Sequence, residues 1–104
     1  MTLEGLYAGL ATLGLPLAYH KHTEAPQLPF LVYRFDGSDD LMADNQNYAE
    51  ISDITIELYS NKKDLVSEAL VEDKLKELRL PYVKHEVWVE AEELFMTLYE
   101  VTII

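Results

Sequence analysis

Two hydrophobic runs with the alternation of β-strands flank an acidic segment, and this arrangement constrains the fold more than any other feature of the sequence. FLVYRF covers residues 30–35 and ITIELY covers residues 54–59. In the second run Ile and Leu alternate with more polar residues, which is the period of a strand with one buried face. Strand character persists into the segment between the runs. We therefore expect a long β-hairpin over about residues 30–60, whose outer half protrudes from the domain.

The charge of the chain is concentrated in two segments. Between Asp36 and Glu57 there are seven acidic residues and no Lys or Arg, and after Lys84 there are five acidic residues and again no Lys or Arg. The rest of the chain is nearly balanced, although the net charge is -11. A surface of this sign repels a phosphate backbone, so the sequence predicts no direct nucleic-acid binding.

Composition favours one folded domain over residues 1–104. Hydrophobic residues make up 49% of the chain, which is too many for a disordered protein. There is no cysteine, so disulfides and thiolate metal sites are excluded. The apolar runs are shorter than the roughly 20 residues of a membrane helix, and no basic segment precedes an apolar run near Met1. We expect a soluble protein without a signal peptide.

Two helices are predicted, one on each side of the strand pair. Helical spacing of leucines runs from Leu3 to Leu13, with Thr2 as a cap and Gly14 as a stop. LAYHKH, residues 17–22, alternates like a short strand, and TEAPQLP follows as a linker. The second helix must end before Pro81. Its cap candidates are Ser60, Asn61 and Asp64, and its predicted apolar face comprises Val66, Leu70, Val71, Leu75 and Leu78.

Two further strands complete the predicted order. One covers residues 82–89, the other is LFMTLYEVTII at residues 94–104, and Glu90 to Glu93 form a tight polar turn between them. The order is α-β-β-β-α-β-β. The sequence therefore predicts an α+β domain with a mainly antiparallel sheet and two helices packed on it.

The histidines offer one possible metal site. His20 and His22 would share a face of a strand, and Glu24 has the same parity. A metal site would need a third ligand from elsewhere, so a polar strand face is the simpler interpretation. His85 is interpreted as an exposed or half-buried strand residue.

The acidic segment also invites comparison with a calcium-binding loop. Asp36, Ser38 and Asp40 have the spacing of its first ligands. The comparison fails because the glycine stands at the second position rather than the sixth, and Asn47 replaces the bidentate glutamate. The serines lack the context of a nucleophile, and the glycines form no phosphate loop. We expect no catalytic residue, no metal and no cofactor, and hence no enzyme, although a hydrolase with a carboxylate site remains a competing hypothesis.

Assembly with other proteins is the favoured function class. Leu41 and Met42 are apolar amid Asp, Asn and Gln, and an apolar pair at a protruding tip is typical of an anchor on another subunit. A solvated loop is the alternative for this segment. Seven tyrosines and Trp88 also supply contact area of the kind found at interfaces, unless most of them line the core. The predicted subunit interface comprises Leu41, Met42, Asn45 and Tyr48.

The same segment carries a resemblance to a known family. The run F-x-G-S-D-D-x-x-A-D-N-x-x-Y, and with it essentially the whole chain, resembles small tail proteins of long-tailed bacteriophages and prophages of Gram-positive bacteria, encoded among the head-to-tail joining genes. The residues of the run are Phe35, Gly37, Ser38, Asp39, Asp40, Ala43, Asp44, Asn45 and Tyr48. The order of elements also resembles tail terminator and tail completion proteins, which form a hexameric ring that caps the tail tube and joins it to the head connector.

The resemblance implies a structural virion protein that binds further copies of itself and other tail or neck proteins. It would be made in the host cytoplasm and end in the virion. DNA passing through such a ring would meet a lumen that does not hold phosphates if acidic residues faced the channel. The residues predicted to face the channel or a partner are Asp39, Asp40, Asp44, Glu90, Glu92 and Glu93. An acidic inhibitor that mimics DNA, or another protein-binding module, remains the alternative.

Overall fold

The computed structural model describes residues 1–38, 41–43, 46–49 and 51–104, with backbone alone in the two short ranges. Within these ranges the chain forms two helices, five strands of one mixed sheet and a separate pair of short strands. The elements are α1 (Leu3–Ala11), β1 (Leu17–Tyr19), β2 (Phe30–Ser38), β3 (Leu41–Ala43), β4 (Gln46–Ala49), β5 (Ser52–Ser60), α2 (Leu65–Glu77), β6 (Tyr82–Val89) and β7 (Leu94–Ile103). Neither helix is long and apolar enough to span a bilayer.

The sheet has the order β1-β2-β5-β7-β6. β1 is parallel to β2, and every other neighbouring pair is antiparallel. The predicted α+β class, the two helices, the mainly antiparallel sheet and the order α-β-β-β-α-β-β are confirmed.

The predicted long hairpin corresponds to two separate ladders. β2 pairs with β5 from Phe30 opposite Tyr59 to Ser38 opposite Ser52, with a register shift near Gly37. β3 and β4 pair with each other in a second, two-stranded sheet. The structure therefore shows β2 paired with β5 and β3 paired with β4. It does not show one uninterrupted hairpin.

Both helices cover one face of the sheet. The apolar side chains of alternate sheet residues point to this face and are buried against the helices. The largest contributors are Leu6, Leu10, Leu31, Ile54, Ile56, Leu58, Val71, Leu75 and Tyr99. Each fully buried side chain of this size stabilises the fold by about 1.5 to 3 kcal/mol, so this layer is the principal source of stability.

Local sequence determines where the helices begin and how closely they approach. The Thr2 hydroxyl accepts a hydrogen bond from the Gly5 amide at 3.0 Å, which caps α1. Of the three cap candidates for α2, Asp64 is the cap and accepts from the Ser67 amide at 3.0 Å. A Cβ on Gly9 would lie 2.9 Å from Leu78 Cδ1, so this glycine allows the two helices to pack closely.

The predicted buried face of α2 is wrong in part. Val71 and Leu75 are buried as expected, but Val66 is 75% exposed and Leu70 is 40% exposed. Glu68 takes a place on the buried face instead, and it is only 3% exposed. The apolar pattern fails here because the helix turns a carboxylate toward lysines that come from other parts of the chain.

Candidate interaction surface

The histidines predicted as possible ligands are not brought onto one strand face. β1 ends at Tyr19, and the chain bends at His20, which has a positive φ of 68°. The His22 ring instead packs edge to face on Phe30, and its Nε2 lies 3.0 Å from the Leu31 carbonyl oxygen. In the part of the chain that the structure describes, no three carboxylate or imidazole groups are arranged to hold a metal.

The described residues of the calcium comparison belong to the sheet. Asp36 and Ser38 lie in β2, and Asp36 accepts hydrogen bonds from Arg34 and Thr55. Its carboxylate is therefore committed to neighbouring side chains. Asp40 and the side chain of Asn47 lie outside what is described.

The predicted interface residues fall mostly outside the described side chains. Leu41 and Met42 lie in β3 and Tyr48 lies in β4, where the backbone alone is described. Asn45 and the three acidic residues Asp39, Asp40 and Asp44 lie outside the described residues altogether.

The second predicted acidic group lies at a turn. Glu90 and Glu92 bound a single 3₁₀ turn between β6 and β7, and Glu93 follows it with a φ of 51°. All three side chains are exposed. Glu90 also accepts a hydrogen bond from the indole N–H of Trp88.

The Glu90 turn and the paired residues Ser38 and Ser52 lie at opposite ends of the sheet. In the ladder between β5 and β7, Ser52 pairs with Ile103 at one end and Ser60 pairs with Phe95 at the other. The first acidic segment joins β2 to β5 at the Ser52 end, whereas the Glu90 turn is at the Phe95 end. Nine strand residues at about 3.4 Å each separate the ends by roughly 30 Å. The Glu90 turn is therefore separated by the length of the sheet from Ser38 and Ser52, the ends of β2 and β5 next to the first acidic group.

A network of charges between α2 and β6 was not predicted from the sequence. Lys84 Nζ lies 2.6 Å from one oxygen of Glu68, and Lys63 Nζ lies 2.9 Å from the other. The Lys84 ammonium also lies 2.8 Å from Glu72. The nearly buried carboxylate is thus held by two lysines, one before α2 and one on β6.

Two tyrosines extend this network into the sheet. Tyr82 and Tyr99 donate hydrogen bonds from their hydroxyls to Glu72, at 3.1 Å and 2.8 Å. Tyr99 is completely buried on β7. The network therefore fastens α2 to β6 and β7 by polar contacts where the apolar face of the helix is incomplete.

The pKa values in this network favour the charged forms. Burial by itself would raise the pKa of Glu68, but hydrogen bonds from Lys84 and Lys63 outweigh it and lower the pKa below its ordinary 4.5. For Glu72, burial also acts to raise the pKa, but hydrogen bonds donated by Lys84 and Tyr99 outweigh it and lower the pKa. Hydrogen bonds to Glu68 and Glu72 raise the pKa of Lys84. Carboxylates with lowered pKa values are poor general acids near neutral pH, so this cluster is suited to holding the fold together.

The sheet face opposite the helices carries a second charged network. Arg34 on β2 lies 2.6 Å from Glu57 on β5 and 3.0 Å from Asp36. The Tyr59 hydroxyl donates to Glu57 at 2.9 Å, and burial together with this bond raises the pKa of Tyr59. Glu57 is nearly buried, and Arg34 and Tyr59 are the neighbours that bind its carboxylate.

The tyrosines divide between core and surface. Tyr33 and Tyr99 are buried, whereas Tyr7 and Tyr19 are each 47% exposed and contact the Tyr33 ring. The interpretation of the tyrosines as interface residues therefore applies at most to some of them. Tyr7 and Tyr19 form an aromatic surface patch beside β1.

The outer edge of β6 is open. β6 is the last strand of the sheet, and no described residue pairs with its outer backbone groups. Its side chains are exposed along most of its eight residues, on both faces of the sheet. Val83, Val87 and Trp88 are large exposed hydrophobic residues among them. An edge of this length with apolar side chains is the most accessible surface for pairing with another chain among the residues described.

Comparison with known proteins adds no relative. No family model matches the chain, and no curated protein matches it. The resemblance to phage tail proteins therefore rests on the sequence run and the order of elements alone.

Proposed function

We propose that the chain is a structural protein of a phage or prophage tail or neck, which acts by binding copies of itself and neighbouring tail proteins. The observation that carries the proposal is the pairing of β3 with β4 directly beyond the β2 and β5 ladder. Two antiparallel ladders in succession along the same segment support a hairpin that continues beyond the sheet. The dimensions of 49 by 29 by 24 Å are consistent with an elongated subunit.

A protruding hairpin suits a ring. Each contact in a ring joins two different surfaces of neighbouring subunits, and a hairpin that reaches beyond its own sheet supplies one of them. We propose that the hairpin tip, with Leu41 and Met42, anchors on the next subunit of a hexameric ring that terminates the tail tube or joins the tail to the head.

The position of the acidic groups restricts the orientation of the subunit in such a ring. The acidic segment follows Ser38 and precedes Ser52 at one end of the sheet, and the Glu90 turn lies at the other end, so strands that run along the channel axis would let both groups face a channel. We propose this orientation. It would be wrong if Glu90, Glu92 and Glu93 lay on the outer wall of an assembled ring.

Three described carboxyl groups have structural rather than catalytic surroundings. A hydrolytic carboxyl acid would have a strongly raised pKa in a concave site. The pKa values of Asp64, Glu68 and Glu72 are all lowered, which is the opposite direction. These groups are engaged in a helix cap and in ion pairs.

Electron microscopy tests the proposed function. We expect the purified protein, alone or mixed with tail tubes, to form rings, and we expect the rings to cap tube ends. Absence of rings together with uncapped tubes would refute the proposal. Co-purification of a basic nuclease or repressor would instead favour the acidic inhibitor that mimics DNA.

Replacement of the tip pair tests the anchor. The L41S/M42S variant should lose ring formation while its melting temperature stays nearly unchanged, since the proposal places this pair against a neighbouring subunit and not in the core of its own. The matched control is L65S/V66S, which removes an adjacent apolar pair that is exposed on α2. The control should form rings as the parent protein does. A large loss of monomer stability in L41S/M42S would show that the pair belongs to the core.

A further inference from the structure

The open edge of β6 is unusual because the sheet protects its other edge. β1 at the opposite edge is three residues long and ends where His20 turns away with a positive φ. β6 has eight residues, and no described residue covers it. An inward-pointing lysine often prevents pairing at an edge. Lys84 does not have this effect, because its ammonium is held by Glu68 and Glu72 on the helix side.

We propose that β6 pairs with β6 of a second copy of this chain, antiparallel and across a two-fold axis that passes through His85. The pairing joins two five-stranded sheets into one ten-stranded sheet. All four helices of the pair then lie on the same face, since a two-fold axis perpendicular to the sheet preserves the faces. This contact does not depend on the proposed tail function.

Backbone geometry restricts how two copies of one strand can pair. Along a strand, alternate residues direct their N–H and C=O groups toward the outer edge. In an antiparallel ladder these residues face residues of the same parity on the partner. A two-fold axis between two identical strands must therefore pass through a residue, not between two residues.

Among these registers, the one centred on His85 fits the side chains of β6 best. It overlaps seven of the eight residues, 82–88. It places Val83 opposite Val87 and Tyr82 opposite Trp88, each twice. Lys84 lies opposite Glu86, but each is already paired within its own subunit, Lys84 with Glu68 and Glu72 and Glu86 with Lys63, so the apolar and aromatic pairs contribute most to this register. Opposite charges, branched apolar pairs and aromatic pairs are the cross-strand combinations that stabilise sheets.

The neighbouring registers are unfavourable. An axis through Lys84 would place the two Lys84 side chains opposite each other and would bring Pro81 into the ladder, where it cannot donate a hydrogen bond. An axis through Glu86 would place the two Glu86 carboxylates opposite each other. The side chains of β6 and the position of Pro81 therefore favour one register.

Single cysteines test this register, since the chain has none of its own. Residues directly opposite each other in an antiparallel pair have Cβ atoms about 4.5 to 5.5 Å apart, within reach of a disulfide. H85C should therefore form a covalent dimer on mild oxidation. In the same register the two copies of residue 83 are four residues apart, about 13 Å, so V83C alone should not cross-link.

A mixture provides the decisive comparison. After oxidation, V83C alone and V87C alone should each run as a single chain on a denaturing gel without reducing agent. An equimolar mixture of the two should give a dimer linked by the mixed disulfide. Efficient cross-linking of V83C alone would overturn the proposed register. A dimer that is detected in solution but that H85C does not trap would overturn the proposed contact.

Sedimentation of the unmodified protein tests the association itself. We expect a monomer and dimer equilibrium that depends on concentration. V83K should abolish the dimer because it places a charge opposite Val87 of the partner, whereas V66K, at an exposed valine on α2, should leave the dimer unchanged. A protein that stays monomeric at all concentrations would refute the proposal. Binding of β6 to a strand of another protein would then be the alternative.

Discussion

Replacement of Lys84 should lower the stability of the fold by more than its sequence context indicates. In the sequence it is a lysine in an exposed strand, where replacement usually changes stability by less than about 0.5 kcal/mol. In the structure its ammonium lies 2.6 Å from Glu68 and 2.8 Å from Glu72. The K84M variant keeps most of the apolar stem but removes the charge from beside a carboxylate that is 3% exposed.

The magnitude follows from how much of the pair is buried. Removing one partner of a fully buried ion pair costs about 3 to 5 kcal/mol. The Lys84 side chain is 35% exposed, and Glu68 keeps its contact with Lys63 at 2.9 Å, so the expected cost is reduced to about 2 kcal/mol. For a chain of this length this corresponds to a fall in melting temperature of roughly 9 °C.

The assay is thermal unfolding at neutral pH, followed by circular dichroism at a concentration where sedimentation shows a single species. The matched control is K76M, which removes an exposed lysine from α2 and should lower the melting temperature only slightly. In an E68Q background K84M should cost about half as much, because the carboxylate that needs the lysine is gone. An equal effect of K84M and K76M, or an unchanged cost in the E68Q background, would refute the assigned role of Lys84.

Two further predictions concern pH and capping. The pKa values of Glu68 and Glu72 are lowered in the folded state, so their stabilising contribution is complete above the ordinary value of 4.5 and is lost as the pH falls through the folded pKa values. The free energy of unfolding from urea titrations should therefore decrease on acidification below about pH 4.5, and less steeply in E68Q; parallel curves for the two proteins would contradict this. D64A removes the acceptor of the Ser67 amide and should cost about 1 kcal/mol in the same titrations, whereas D64S should recover most of it; equal losses in both variants would argue against a capping role.

Local periodicity was sufficient to predict both helices and the strands of the five-stranded sheet, because it depends on residues close in sequence. The spacing of Leu3, Leu6 and Leu10 and the alternation in ITIELY predicted a helix and a strand that the structure contains. The end of β1 was missed. A positive φ at His20 carries no residue signal comparable to glycine, so the alternation in LAYHKH suggested a longer strand.

Long-range pairing could not be predicted in the same way. Glu68 lies on the buried face of α2 because Lys84, sixteen positions later, is aligned with it by the pairing of β6 with β7. A prediction that places charged residues toward solvent and apolar residues toward the core assigns Val66 and Leu70, not Glu68, to the buried face of α2. A usable signal was present in β6, where Tyr82, Lys84 and Glu86 alternate as polar or amphipathic residues on one face.

The edge position of β6 is also a consequence of topology. Its valines and Trp88 are the composition of an interior strand, and only the order β1-β2-β5-β7-β6 shows that one side of it is unpaired. Likewise, the sequence groups Glu90, Glu92, Glu93 and Glu100 into one acidic segment, whereas the antiparallel ladder of β5 and β7 places Glu100 opposite Thr55, away from the Glu90 turn.

The two proposed contacts obey different symmetries, and this makes them separable. A ring contact joins two different surfaces, whereas the β6 contact pairs one surface with itself. The proposed hairpin would extend from β2 and β5, and β7 lies between β5 and β6, so both surfaces could be occupied in one subunit. If the ring contact and the β6 contact formed together, they would join two rings in dihedral symmetry. A tube end binds only one ring, so capping a tube does not require the β6 contact. The variants should therefore divide cleanly: L41S/M42S should lose rings and keep the β6 dimer, and V83K should lose the dimer and still cap tubes. If V83K abolished the rings as well, β6 would be part of the ring contact and the two-fold pairing would be wrong.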